Sequence, residues 1–183
     1  MNSPQEKTIK ISKFLSLILR HKPETIGITL DPKGWADVDT LIELAAKHGK
    51  QIDRALLERI VSDNDKQRFA FNTDKSKIRA NQGHSIAVNL ALAPQKPPKY
   101  LYHGTAKRFV SSILSQRLIK QSRNHVHLSS DRATAIKVGT RHGTPVVLKI
   151  QSGKMHDASL KFYLAKNKVW LTDSVPAKYI TFD

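Results

Sequence analysis

The chain has 183 residues, no cysteine and a formal net charge of +16, so it can hold one full core or two small lobes but no disulfide or thiolate metal site. No apolar run approaches the ~20 residues needed to span a bilayer, and Met1-Asn2-Ser3-Pro4-Gln5-Glu6 lacks the apolar region of a signal peptide, so a cytoplasmic protein without a membrane partner is expected. The charge calls for a polyanionic partner.

Ser3-Pro4-Gln5-Glu6 has the form of a capping box, and Ile11, Phe14, Leu15, Ile18 and Leu19 follow at helical spacing. Pro23 should stop that helix near His21-Lys22, leaving Arg20-His21-Lys22 at its C-terminal end. Cations suit that end of the dipole, and three in a row also form a claw for phosphate. Ile26 to Leu30 reads as a short β-prone piece closed by the turn Asp31-Pro32-Lys33-Gly34. Asp37 should cap a second helix that ends at Gly49, and Asp53 a third through Leu56, Leu57 and Ile60. Phe69-Ala70-Phe71 and Ile78-Arg79-Ala80, joined by a turn-like stretch, read as a hairpin. Three helices and a hairpin make a winged-helix-like lobe, and Ile86 to Leu92 adds an alternating strand pattern. Ala93-Pro94-Gln95-Lys96-Pro97-Pro98-Lys99 is the best linker candidate.

The charge changes at that linker. Residues 1–93 carry 15 Lys/Arg against 11 Asp/Glu, whereas residues 94–183 carry 16 against 4, with no glutamate after Glu58. A carboxylate pair for acid–base work can barely be assembled in the second half. Tyr100-Leu101-Tyr102 reads as a strand running into His103, where Gly104 removes the side chain and Thr105 adds a hydroxyl. A glycine there marks close approach by another backbone or a ligand, and the set suits a ligand rich in ribose hydroxyls. Val110, Ile113, Leu114 and Leu118 mark a helix; Val126 and Leu128 alternate with His125, His127 and Ser129 in a strand. Ser130 or Asp131 should cap a helix ending at Gly139, and strands are expected at Pro145–Ile150, Val169–Thr172 and Tyr179–Phe182. The second half is therefore a small α+β lobe rich in strands.

Four basic clusters stand out: Arg20-His21, Arg79 with Gly83-His84-Ser85, His103-Gly104-Thr105, and Arg141-His142-Gly143. Arginine grips phosphate bidentately, and histidine donates a hydrogen bond or a proton near neutral pH. His125 and His127 lack the further ligands a zinc site needs, so no metal is expected. There is no Walker A sequence, dinucleotide glycine fingerprint, nucleophile elbow or paired-acid motif.

Leu19-Arg20-His21-Lys22-Pro23, Gly34-Trp35, Ile78 to Ser85, Tyr102-His103-Gly104-Thr105, Val126-His127-Leu128-Ser129 and Val138-Gly139-Thr140-Arg141 occur together in this order. The sequence resembles the RNA 2′-phosphotransferases of the KptA family, from about Ile9 to Phe182. The resemblance implies an α+β protein with an RNA-binding, winged-helix-like lobe over residues 1–93 and an NAD-binding, ADP-ribosyltransferase-like lobe over 94–183. It implies removal of an internal 2′-phosphate from RNA with NAD⁺ as co-substrate. The phosphate attacks the nicotinamide ribose, nicotinamide leaves, and the ADP-ribosylated RNA then resolves to a 2′-hydroxyl and ADP-ribose 1″,2″-cyclic phosphate. By the family's pattern Arg20, His21, Arg79 and Arg141 are the essential basic residues, and His84 and Ser85 extend their cradle. His103, Gly104, Thr105, His127 and Ser129 match the NAD side. The partner is then an RNA of tRNA type bearing a 2′-phosphate, taken up by a monomer.

The acid-poor second half agrees with that chemistry. A phosphate monoester is mostly dianionic at neutral pH, its second pKa being about 6, so it needs positioning cations rather than a general base. Two alternatives remain at this level. One is a non-catalytic winged-helix regulator that sets Arg68, Lys75 and Lys77 on nucleic-acid backbone. The other is an ADP-ribosyltransferase that modifies terminal phosphates of RNA or DNA and stops there.

Overall fold

Seventeen residues, Pro4–Arg20, form helix α1 in the computed structural model, which describes residues 4–63 and 66–182. Ser3, and with it the expected capping box, lies outside the described residues. Ile11, Leu15, Ile18 and Leu19 are buried, as their spacing requires. The helix closes where His21 and Lys22 N–H groups both reach the Leu17 carbonyl, immediately before Pro23.

The chain folds as two compact units, Met1–Ala91 and Leu92–Asp183. In the first, Asp37 caps α2 (Val38–Lys47) by accepting from Thr40 N at 2.8 Å, and Asp53 caps α3 (Arg54–Ser62) from Leu56 N at 2.7 Å. Gly49 ends α2 in left-handed geometry, φ +69°, with its N–H on Ala46 O and the Lys50 N–H on Ala45 O. Strands β1 (Ala36–Asp37), β2 (Phe69–Phe71) and β3 (Lys77–Ala80) form one antiparallel sheet in the order β1-β3-β2. Its registers are Ala36↔Ile78 and Ala70↔Arg79. The three helices and this sheet share a core that includes Leu15, Leu41, Leu57, Phe69 and Ile78.

Two expected strands are absent. Residues 26–30 are irregular, with Ile26 and Ile28 buried, and the strand that pairs here is β1. Residues 86–92 also pair with nothing as a strand. Their alternation reflects packing on the preceding turn, where Asn89 N donates to Pro32 O and Val88 lies against Gly34.

In the second unit, β4 (Leu101–Ala106) pairs with β7 (Pro145–Ile150), which pairs with β11 (Ile180–Phe182), all antiparallel. A second sheet has the order β6-β9-β8, from Val126–Leu128, Trp170–Thr172 and Tyr163–Leu164, and β5 (Leu118–Ile119) pairs with β10 (Ser174–Val175). Helices α4 (Lys107–Ser115), α5 (Arg132–Gly139) and α6 (Ser152–Asp157) complete it. Leu118, expected in a helix, belongs to β5, because α4 stops at Ser115. The whole is an α+β protein with several small sheets.

The proline-rich stretch is docked rather than free. Gln95 N donates to Phe162 O, Ser152 Oγ to Pro98 O at 2.7 Å, and Gly153 N to Lys99 O. Residues 95–99 are therefore fastened to the second unit.

Candidate active site

Arg20 ends α1 and Arg79 lies on β3. The antiparallel register Ala36↔Ile78 carries Trp35 alongside Arg79, whose guanidinium sits 4.5 Å from the indole centroid. Arg79 is only 9% exposed; its Nη1 donates to Lys33 O at 3.3 Å, and its Nε is buried with no partner. Burial lowers its pKa, and Asp31 offsets this in part. The Asp31 carboxylate already accepts from Lys33 N at 2.8 Å and Trp35 N at 3.0 Å.

Residues 83–85 bring a third element to the same place. Gly83 is left-handed, φ +92°, and a Cβ there would sit 3.5 Å from Arg20 Nη1, so glycine fits both the turn and the closeness. Ser85 N donates to Arg20 O, and Ser85 Oγ is 2.9 Å from His21 Nδ1. His84 is 2% exposed, with its Nε2 buried and unpartnered. Burial first, then Arg20, His21 and Arg79, push its pKa down to about 4. Arg20, His21, Arg79, His84 and Ser85 are thus gathered within the first unit. A buried guanidinium N–H without an acceptor, among cations, is a setting an oxyanion would satisfy.

That histidine has a pH signature. Its folded pKa lies below the unfolded value of 6.5, so the unfolded chain binds more protons between pH 6.5 and 4. The associated stability is full above pH 6.5 and lost as pH falls through about 4, roughly 3 kcal/mol in all. His84→Gln should flatten that part of the stability–pH curve measured by denaturant unfolding. An unchanged slope would mean that His84 titrates normally.

In the second unit, His103, Gly104 and Thr105 lie inside β4 rather than just past a strand. The close approach at Gly104 is made by backbone of α5: an ideal Cβ would lie 1.7 Å from Ala135 O. Thr105 is buried. His103 Nδ1 is 3.0 Å from the His127 carbonyl and must donate to it. Burial, then Arg123 and His142, lower the His103 pKa, while the bond to His127 opposes them. Its neutral ring therefore keeps an acceptor at Nε2. Arg123 Nη1 is 2.8 Å from His127 Nδ1. Ser129 exchanges backbone hydrogen bonds with Tyr102 at 2.8 Å each way, joining the ends of β4 and β6, and its Oγ accepts from Asp131 N.

Arg141 is exposed, in the 3-10 turn Thr140–His142 that follows α5. Among the described residues no group of three or more His, Asp or Glu could hold a metal. Sequence reasoning did not single out Arg123 or Trp35 as site residues. Arg123 sits in a turn without periodicity, and Trp35 reads as core; the Gly34-Trp35 pair ahead of β1 was the available signal.

The match with known proteins follows this geometry. A family model for RNA 2′-phosphotransferase, Tpt1/KptA family, matches residues 6–174, which takes in both clusters. A probable RNA 2′-phosphotransferase of Flavobacterium johnsoniae is 58% identical over 94% of both chains. One of Fusobacterium nucleatum is 53% identical over 97% of this chain and 99% of its own, and one of Escherichia coli O139:H28 is 52% identical over 92% of both. With the model spanning nearly the whole length and relatives above half identity, this chain belongs to the Tpt1/KptA family of RNA 2′-phosphotransferases.

Proposed function

We propose that the chain removes an internal 2′-phosphate from RNA in an NAD⁺-dependent reaction, leaving a 2′-hydroxyl and releasing nicotinamide and ADP-ribose 1″,2″-cyclic phosphate. The observation that carries this reading is the cluster of Arg20, His21, Arg79 and His84, in which the buried Arg79 Nε donor and the buried His84 Nε2 have no partner. A dianionic phosphate would take both, and Arg20 and Arg79 would hold the charge that grows at phosphorus. His21, hydrogen-bonded to Ser85, would move the proton, and Ser85 would orient it. Arg141, exposed on its turn, would add a further cation to the substrate.

The donor set of the second unit fits NAD⁺, which supplies an electrophilic anomeric carbon and a departing nicotinamide. His103 Nε2 can accept from a ribose hydroxyl, and Arg123 provides a cation near it. His127 and Ser129 belong to the strand end bonded to β4, and Gly104 and Thr105 fix α5 on that strand. On this reading the first unit is winged-helix-like and binds RNA, supported by three helices and the β2–β3 hairpin. The second is ADP-ribosyltransferase-like. The enzyme would act as a cytoplasmic monomer; no helix among the described residues is long and apolar enough to cross a membrane.

The DNA-binding alternative is disfavoured by the hairpin itself. Lys75 pairs with Glu58 at 3.2 Å, so the wing's charge is partly spent internally. A short RNA with one internal 2′-phosphate should lose it only when NAD⁺ is present, with nicotinamide released in equal amount. Tight duplex-DNA binding without NAD⁺ turnover would favour the regulator; accumulation of ADP-ribosylated terminal phosphate would favour the other transferase.

A further inference from the structure

Of the two tryptophans, Trp170 is buried in the core of the second unit, whereas Trp35 is half-buried. Among the described residues Trp35 is neither part of the first unit's core nor one of the half-buried apolar side chains packed on it. What the indole meets is the Arg79 guanidinium, 4.5 Å from its centroid. The ring is firmly mounted. Asp31 N donates to Trp35 O at 2.9 Å, and Trp35 N donates to the Asp31 carboxylate at 3.0 Å. Gly34 allows this tight turn, with φ +79° and so little room that a Cβ would come within 2.9 Å of Val88. One short turn thus gives Arg79 a carbonyl for its edge, at Lys33, and an aromatic surface for its face.

Neither contact carries a full negative charge. Among the described residues Arg79 forms no ion pair, and Asp31 Oδ1 is taken up by the amides of Lys33 and Trp35. A carboxylate on Arg79 would fix it in place but would also cancel its charge and compete with phosphate for its donors. An aromatic face attracts the cation and leaves its N–H edge open. Arg20 repeats the pattern, 5.8 Å from the ring centroid of Phe69. Trp35 immediately precedes β1 and Phe69 opens β2, the two strands that flank β3. We infer that Trp35 is a positioning residue, holding the Arg79 guanidinium ready for the substrate phosphate without neutralising it. This rests on the reading of the first cluster as the phosphate site.

The test compares Trp35→Phe, which keeps an aromatic face, with Trp35→Leu, which keeps apolar bulk without one, in the full-length protein. The Arg79 Nε–H resonance, identified in ¹H–¹⁵N NMR by its loss in Arg79→Ala, reports the hold directly. It should lie upfield under the indole ring current, move downfield in Trp35→Leu and stay upfield in Trp35→Phe. At single turnover, 2′-phosphate removal should slow about tenfold in Trp35→Leu, the equivalent of ~1.4 kcal/mol. In Trp35→Phe it should slow less than about threefold, and neither variant should change the KM for NAD⁺. Because the effect runs through Arg79, Trp35→Leu should cause no further loss in an Arg79→Ala background. A resonance that Trp35→Leu leaves unmoved overturns the proposal. Equal rates in the two variants, or a tenfold loss added to that of Arg79→Ala, overturn it too, since either marks Trp35 as ordinary packing. If the resonance moves but the wild type never consumes NAD⁺, the hold on Arg79 stands and the phosphate-transfer reading falls.

Discussion

Arg79→Ala is expected to lower the rate of 2′-phosphate removal by about a thousandfold while leaving the fold intact. Removing one donor aimed at developing oxyanion charge typically costs 10²–10³ in rate, and Arg79 would offer several. Its stability effect should be small or even favourable. The residue is 9% exposed and its guanidinium has one hydrogen bond, at 3.3 Å to Lys33 O, so its desolvation is poorly offset. The stack on Trp35, worth ~1–2 kcal/mol at a desolvated site, is the main loss. Arg79→Lys should not restore activity, because an ammonium neither stacks as a plane nor grips two oxygens. Nicotinamide release and phosphate loss, followed separately, show which step is affected. ADP-ribosylated RNA will accumulate if Arg79 serves the second step, and neither product will form if it binds the substrate phosphate. Rates unchanged from wild type would remove Arg79 from the site.

The largest stability effect should come from Gly104→Ala. The new methyl would lie 1.7 Å from Ala135 O and 2.8 Å from Gly139 N, both backbone atoms of α5. No rotamer can relieve a clash with backbone, so α5 must lift from β4. A loss of about 3 kcal/mol or more is expected, at or beyond the upper end of ordinary overpacking. Gly49→Ala is the control: its φ is +69° but nothing lies within 4 Å, so only the left-handed penalty, ~1 kcal/mol, should appear. Denaturant unfolding followed through Trp170, in a Trp35→Phe background, reports on the second unit alone. A Gly104→Ala loss no larger than that of a left-handed glycine would show that α5 is not seated as described.

What the sequence makes legible is mostly local. Asp37, Asp53 and Asp131 each announce a helix, and each side chain accepts from the amides two or three residues on. Strand existence depends on a distant edge, and there the reading failed. Ile26–Leu30 and Ile86–Leu92 have the apolar character of strands, but their side chains are satisfied by helix and turn packing. Gly104 looked like a strand end because glycine weakens strands locally; its reason lies far along the chain, at Ala135. Helix α6, with Gly153 in its first turn and no side-chain cap, gave no signal. The basic residues that the sequence singles out in the first unit lie together in the structure, yet the sequence could not show that Trp35 floors Arg79 or that His84 is buried. Those facts depend on the register of β1 on β3.

The lopsided charge of the second half has a consequence for handling the protein. With 16 basic residues and 4 acidic ones over residues 94–183, one-to-one pairing within that half leaves at least twelve cations without an acidic side chain of their own. Their mutual repulsion is relieved by whatever counter-ions condense around them. Multivalent anions such as phosphate or sulfate will therefore raise its melting temperature more than chloride at equal ionic strength, and nucleic acid will follow it through purification until displaced by salt.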